Sequence, residues 1–204
     1  MRLGLFGGTF DPVHRGHVEV ARRALAWGLD GVVVVPCRQS PHKPVAAGAP
    51  VPADGRHRWE MLRLAFRGEG GVSLSRCELD RQGPSYTRDT LAELRSQHPG
   101  ADWVLVLGAD QLPALPRWVG FCDWANGVGF LVFGRPGCAI EIGAAELRGL
   151  PIDVIQDFEI PVSATEIRGR FGRGESVAGM LPDGVEAYIL RHGLYGAQRG
   201  RRES

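Results

Sequence analysis

Two histidines three residues apart, His14 and His17, follow two glycines, Gly7 and Gly8, in the stretch Gly-Gly-Thr-Phe-Asp-Pro-Val-His-Arg-Gly-His at positions 7–17. The apolar run Leu3–Phe6 precedes this stretch and a helical pattern follows it. A strand that runs into a glycine-rich loop and then a helix start offers open backbone N–H groups and a positive dipole end to an anion. Gly7 and Gly8 permit close backbone approach. Imidazoles at the same point donate hydrogen bonds to phosphate oxygens, more strongly as charge develops on them. Together these features predict a nucleoside triphosphate as ligand. Thr9 either bonds a phosphate or supports the turn. No carboxylate stands at a familiar zinc spacing from the histidines, so no protein-held metal is expected.

A second constellation lies at Val162-Ser163-Ala164-Thr165-Glu166-Ile167-Arg168. Ser163 is a good N-cap, and Glu166 three residues later completes a capping box. Taken alone, that is a well-made helix start. Ser163, Thr165 and the open N–H groups also form a second anion site, to which Arg168 adds a planar fork for phosphate. A third stretch, Gly83-Pro84-Ser85-Tyr86-Thr87-Arg88-Asp89-Thr90-Leu91, reads by itself as a turn and a capped helix without assigned chemistry.

The intervening chain must position these groups. Val18–Trp27 carries apolar residues at Val18, Ala21, Ala24 and Leu25 and stops at Gly28, which predicts a helix. The valine run Gly31–Val35 reads as a strand buried on both faces, the mark of a parallel sheet. Residues 40–55 form a long loop, and Asp54 caps a helix to about Arg67 with Trp59, Leu62 and Phe66 on one face. Further strands are predicted at Val72–Leu74, Asp102–Leu107, Val128–Phe133 and Ile152–Ile155. Further helices are predicted at Tyr86–Ser96, Ser163–Phe171 and Val185–His192. Strands alternating with helices specify an α/β fold, a Rossmann-like open parallel sheet flanked by helices with a small C-terminal helical part. Ligands of such sheets sit beyond the carboxyl ends of the strands. Gly7-Gly8, Lys43, Asp110 and Arg135 all fall there.

The 204 residues, 44% hydrophobic and 23% charged, suffice for one domain over residues 1–196, followed by a basic disordered tail over 197–204. A net charge of +1 gives no reason to expect a nucleic-acid or membrane surface. Cys37, Cys77, Cys122 and Cys138 form no C-x-x-C pair and read as buried thiols. The chain enters a strand without a leader pattern, and its apolar runs are too short to span a bilayer. A cytoplasmic protein is the expectation. A homo-oligomer stays open.

Residues 7–17 resemble the Gly-x-Phe-Asp-Pro-x-His-x-Gly-His signature of the nucleotidyltransferase superfamily, whose sheet is Rossmann-like. Residues 162–168 resemble its Ile-Ser-Ser-Thr-x-Ile-Arg motif, which holds the ATP phosphates, with Ala164 in place of the second serine. Residues 84–91 are similar to the Pro-Ser-Tyr-Thr-x-x-Thr-Leu segment of bacterial nicotinate mononucleotide adenylyltransferases. Gly108-Ala109-Asp110 with the downstream Trp118, Phe133–Gly137 and Pro182–Tyr195 also fit that family. The resemblance extends to about Gly196 and separates the chain from the shorter pantetheine phosphate adenylyltransferases.

The resemblance implies ATP and nicotinate mononucleotide as substrates, joined into deamido-NAD with release of pyrophosphate. It places Gly7, Gly8, Thr9, Phe10, His14, His17, Gly108, Asp110, Val162, Ser163, Thr165 and Arg168 around ATP, with His14, His17 and Arg168 catalytic. It places Gly8, Thr9, Lys43, Ser85, Tyr86, Thr87, Asp110, Trp118, Val119 and Arg135 around the mononucleotide. Trp118 would stack on the nicotinate ring, and backbone N–H groups near Tyr86, Thr87 and Val119 would meet its carboxylate. Asp110 would accept from ribose hydroxyls. Mg2+ would bind through the ATP phosphates. The alternatives are a dual or nicotinamide-specific adenylyltransferase, transfer to pantetheine phosphate or a CTP-linked alcohol phosphate, and a regulator that binds nucleotide without turnover. A synthetase fragment that binds RNA is disfavoured by the near-neutral charge.

Overall fold

A computed structural model describes residues 1–41, 52–134, 144–156 and 162–197. The chain packs as two compact units. The first comprises Met1–Gly8, Val20–Pro44 and Gly71–Glu159, and the second Thr9–Glu19, Val45–Gly70 and Ile160–Ser204. The helices are α1 (Arg15–Ala26), α2 (Gly55–Ala65), α3 (Cys77–Asp80), α4 (Thr87–Gln97), α5 (Phe121–Trp124), α6 (Ala164–Arg173) and α7 (Val185–His192).

The first unit holds the sheet. Its strands are β1 (Arg2–Gly8), β2 (Gly31–Pro36), β3 (Val72–Leu74), β4 (Asp102–Gly108), β5 (Val128–Phe133) and β6 (Ile152–Ile155). They lie in the order β3-β2-β1-β4-β5-β6, with every neighbouring pair parallel. The expected Rossmann-like sheet is therefore present. Strand order reverses between β1 and β4, the switch point at which open α/β sheets bind ligands. These strands pair from Arg2↔Asp102 to Leu5↔Leu105, so Gly8 and Gly108 end neighbouring strands.

Alternation along the strands divides the core. Leu3, Leu5, Val33, Val35, Trp103, Leu105, Phe130 and Val132 share one cluster with Leu91 and Leu94 of α4 and with Phe121 and Trp124 of α5. Trp103 and Phe130 are almost wholly buried, each contributing about 2–3 kcal/mol of apolar transfer free energy. On the other face Gly4 is required by packing. A Cβ there would stand 2.7 Å from Leu29 Cδ1 and 3.2 Å from Val106 Cγ2. The second unit buries Met61 and Leu62 of α2, Ile167 and Phe171 of α6, and Val185 and Ile189 of α7.

Several local expectations change. α1 begins three residues earlier than its apolar periodicity suggests, because the His14 carbonyl accepts the N–H groups of His17 and Val18. α2 is capped by Asp54 as expected, its carboxylate accepting from the Arg56 N–H at 2.8 Å. Its buried line is Arg58, Met61, Leu62 and Ala65, with Trp59 only half-buried. A 3-10 helix at 109–117 follows β4, where Pro113 and Pro116 withhold the N–H groups an α-helix would need. Cys37 and Cys77 are buried as expected, but Cys122 is exposed, and Cys138 lies outside the described residues. Among the described residues no helix is long and apolar enough to cross a membrane.

Candidate active site

The second unit organises the histidines. The loop leaving β1 runs from Thr9 to His14, where the His14 carbonyl caps α1 and His17 enters its first turn. The His14 backbone N–H donates to Nδ1 of His17 at 3.1 Å. A backbone N–H can only donate, so Nδ1 is unprotonated and the neutral ring carries its proton on Nε2. The two imidazoles stack with centroids 3.7 Å apart, and Phe10 meets His17 edge-on at 4.9 Å. Helix start, ring stack and tautomer together hold one N–H donor in a fixed direction.

Phe10 is buried with φ 51°, in the left-handed region that aromatic residues rarely adopt. That conformation costs on the order of 1 kcal/mol and persists only where neighbours over-determine it. Four residues of the same unit do so. Arg58, 3% exposed, donates to the carbonyls of Thr9 and Ala53, each at 2.9 Å. Asp11 is buried beside Phe10, and its carboxylate accepts from the Ala53 N–H at 3.0 Å and the Tyr195 hydroxyl at 2.7 Å. Burial and the neighbouring Asp11 carboxylate push the Tyr195 phenol far above its usual range. Arg168 donates to the Asp11 carbonyl at 2.6 Å, with its guanidinium 3.9 Å from the Asp11 carboxylate.

α6 supplies the second constellation. Ser163 caps it, accepting from the Glu166 N–H at 3.1 Å. The reciprocal half of the expected capping box does not form, because the Glu166 carboxylate accepts instead from Arg170 one turn on, at 2.9 Å. Thr165 is exposed, with Oγ1 3.3 Å from Arg168 Nη2. Arg168 thus commits two of its five N–H donors to the Asp11 carbonyl and Thr165. Val162 lies just before the cap and is half-buried.

The first unit carries the remaining expected residues. Gly7 and Gly8 close β1, and a Cβ on Gly7 would meet nothing within 4 Å. At the end of β4, a Cβ on Gly108 would stand 2.5 Å from Asp110 Oδ1, so only glycine lets that carboxylate fold back. Asp110 is exposed and accepts from the Gln111 side chain at 2.8 Å. Tyr86 precedes the first turn of α4, which opens at Thr87. Trp118 closes the 3-10 helix. It is half-buried, packs on the core and lies 6.4 Å from the Trp124 ring. Val119 is 41% exposed, and the Trp124 indole N–H pins its carbonyl at 3.1 Å. Gly120 has φ 66°, and a Cβ there would lie 3.2 Å from Arg88 Cδ. The start of α4 and the segment Trp118–Gly120 are therefore neighbours.

Lys43 and Arg135 lie outside the described residues. Asp11, Arg58 and Tyr195 were not singled out from the sequence as site-forming. Arg58 left a signal, since it occupies the inward position i of the series 58, 61, 62, 65 among apolar residues. Tyr195 left none, because its partner is 184 residues away.

Comparison with known proteins agrees with this geometry. Residues 5–170 match the Cytidylyltransferase-like family. The chain is 41% identical to a Gloeobacter violaceus protein named "Probable nicotinate-nucleotide adenylyltransferase", covering 98% of each. It is 35% identical to the nicotinate-nucleotide adenylyltransferase of Bacillus subtilis, over 95% of this chain and 98% of that one. The fold superposes on the Plasmodium falciparum nicotinic acid mononucleotide adenylyltransferase complexed with NaAD with a TM-score of 0.79, at 18% identity, over 98% of this chain and 99% of that chain. With its parallel sheet, its histidine loop and this full-length kinship, the chain belongs to the cytidylyltransferase-like family and, within it, to the nicotinate-nucleotide adenylyltransferases.

Proposed function

We propose that the chain transfers the adenylyl group of ATP to the phosphate of nicotinate mononucleotide, giving deamido-NAD and pyrophosphate, a step of NAD biosynthesis. The observation that carries the reading is the His14 N–H bond to His17 Nδ1, which leaves His17 a neutral donor at the start of a helix. A phosphate oxygen of the mononucleotide attacks the α-phosphorus of ATP in line. The bond from that phosphorus to the bridging oxygen breaks, and pyrophosphate leaves with the electron pair. A phosphate monoester is largely dianionic at neutral pH, so the nucleophile needs no general base. The chain's task is positioning and charge stabilisation.

His17 Nε2–H donates to the phosphate oxygens as their charge grows, with His14 stacked behind it. Ser163, Thr165 and the remaining donors of Arg168 hold the triphosphate, along with Gly7, Gly8, Thr9, Phe10 and Val162. Asp110 accepts from ribose hydroxyls, with Gly108 beneath it. Trp118 stacks on the nicotinate ring, and N–H groups at Tyr86, Thr87 and Val119 meet its carboxylate. Ser85, Lys43 and Arg135 complete the mononucleotide side. Among the described residues no three His, Cys, Asp or Glu side chains gather around a point. Magnesium, which favours phosphate oxygens and water over protein ligands, would bind through the ATP phosphates and would neutralise part of their charge.

The test is pyrophosphate release with ATP and magnesium, with nicotinate mononucleotide and nicotinamide mononucleotide compared side by side. The expected result is a preference for the acid of about a hundredfold or more, the scale of a charged group losing its donors. Turnover with neither refutes the reading, and equal rates refute the acid specificity.

A further inference from the structure

The chemistry above leaves one buried carboxyl group unused. Glu78 of α3 is 7% exposed. Thr90, wholly buried in α4, donates its hydroxyl to Glu78 Oε1 at 2.6 Å. The surrounding residues are anchored in turn. Arg81 donates to Thr90 Oγ1 at 2.8 Å and pairs with Glu93 at 3.2 Å. The Arg38 N–H donates to Ser85 Oγ at 3.0 Å, and the Ser85 N–H donates to the Gln39 carbonyl at 2.9 Å. Thr90 thus links Glu78 to Arg81 and Glu93, while Ser85, just ahead of α4, is tied to the segment that follows β2.

Burying a carboxyl group costs several kcal/mol unless its oxygens are bonded, and an apolar pair would join α3 to α4 more cheaply. Burial indeed pushes the Glu78 carboxyl above its ordinary range, against the opposing effect of Thr90, Ser85 and Arg81. The hydroxyl it holds stands at position 90, in the first turn after Tyr86 and Thr87, the cap and first residue of α4. Backbone N–H donors cannot adjust by changing rotamer. Their aim is set by where the helix start is fixed, and errors well below 1 Å are costly in such sites.

We propose that Glu78 is a positioning residue for the mononucleotide. By gripping Thr90, whose N–H donates to the Tyr86 carbonyl at 3.1 Å, it fixes the start of α4 so that its N–H groups meet the carboxylate of the nicotinate ring. This rests on the assignment of that ring to Tyr86, Thr87 and Trp118. The residue acts through others and touches no substrate.

The experiment titrates nicotinate mononucleotide against tryptophan fluorescence and measures steady-state pyrophosphate release, for wild type, Glu78→Ala, Thr90→Val and Glu78→Gln. Glu78→Ala and Thr90→Val are expected to raise the Kd and KM for the mononucleotide about tenfold, the scale of one lost buried hydrogen bond. KM for ATP should stay within about twofold, while Glu78→Gln, which keeps an acceptor oxygen, should stay within about threefold of wild type. Equal weakening of both substrates, or unchanged mononucleotide affinity in Thr90→Val, overturns the proposal. If Glu78→Ala fails to melt cooperatively, Thr90→Val decides. A wild type that binds the mononucleotide yet releases no pyrophosphate defeats the proposed reaction alone, and the Kd series still judges Glu78. A wild type that does not bind it defeats both.

Discussion

Replacing Tyr195 by Phe removes one hydroxyl from the support of the histidine loop. That hydroxyl donates to Asp11 Oδ1 at 2.7 Å, and Asp11 itself is only 6% exposed. A hydrogen bond to a buried carboxylate contributes about 1.5–3 kcal/mol. For a chain of this length, 1 kcal/mol shifts Tm by about 2–4 °C, so Tyr195→Phe should melt roughly 3–12 °C below wild type. The pH dependence has a definite sign. Burial and Asp11 raise the phenol's folded pKa, so its contribution is complete below the unfolded value of about 10 and is lost only at higher pH. The difference in Tm should therefore be flat between about pH 7 and 9. Tyr188→Phe is the control, because that hydroxyl bonds the His57 ring at 2.9 Å and is not tied to the loop. Calorimetric melts of the three proteins, with kcat and both KM values, form the assay. The loop carries Phe10 and His14, so Tyr195→Phe should lower kcat while Tyr188→Phe leaves it unchanged. A Tyr195→Phe protein within about 1 °C of wild type, with unchanged kinetics, would refute the assignment of Asp11 as the loop's anchor.

His17→Ala should lower kcat by about two orders of magnitude or more, the scale of one lost transition-state donor, and near-normal turnover in the purified variant would remove His17 from catalysis. Trp118→Ala should raise KM for the mononucleotide more than KM for ATP, whereas an equal rise in both would mark a structural tryptophan. Glu78→Gln should alter stability in a pH-dependent way. The raised folded pKa means that the acid's contribution is complete below its model-compound value of 4.5 and is lost as pH rises through the folded value. Gln does not ionise, so the stability difference should move in favour of Glu78→Gln from about pH 4.5 to neutrality. Melts that show a constant or opposite trend would place Glu78 in contact with water.

The strands were legible because their signal is local. Val32–Val35 and Val104–Leu107 are continuous apolar runs that end at proline or glycine, and burial on both faces is what a parallel sheet imposes on such runs. The caps were legible for the same reason, since Asp54 and Ser163 each bond an N–H within three residues. The segment 109–117 was not, because Leu112 and Leu115 at a spacing of three fit a 3-10 turn or an irregular loop equally well. In the candidate site, His14, His17 and Ser163 could be singled out because residue type and spacing alone suggest chemistry. The rest was hidden where a residue's meaning comes from a distant partner. Asp11 and Tyr195 are 184 positions apart, and neither carries a local pattern that announces the bond.

The signature loop is itself a compromise between the two demands. Its aspartate and the distant arginine of the second motif are the residue types expected to face a nucleotide or its metal. Yet the Asp11 carboxylate is turned inward to Ala53 and Tyr195, and Arg168 gives one donor to the Asp11 carbonyl. The strained backbone at Phe10 explains why. A loop that must hold His14 N–H against His17 Nδ1 cannot be left to its own preferences, because rotation at position 10 would carry His14 away and release the tautomer. Arg58, Arg168 and Tyr195, from three separate stretches of sequence, stabilise that geometry together with Asp11 of the loop itself. The pairing of the two motifs therefore has a structural cause as well as a chemical one. Arg168, proposed to hold the ATP phosphates, bonds the same loop whose histidines it helps to aim.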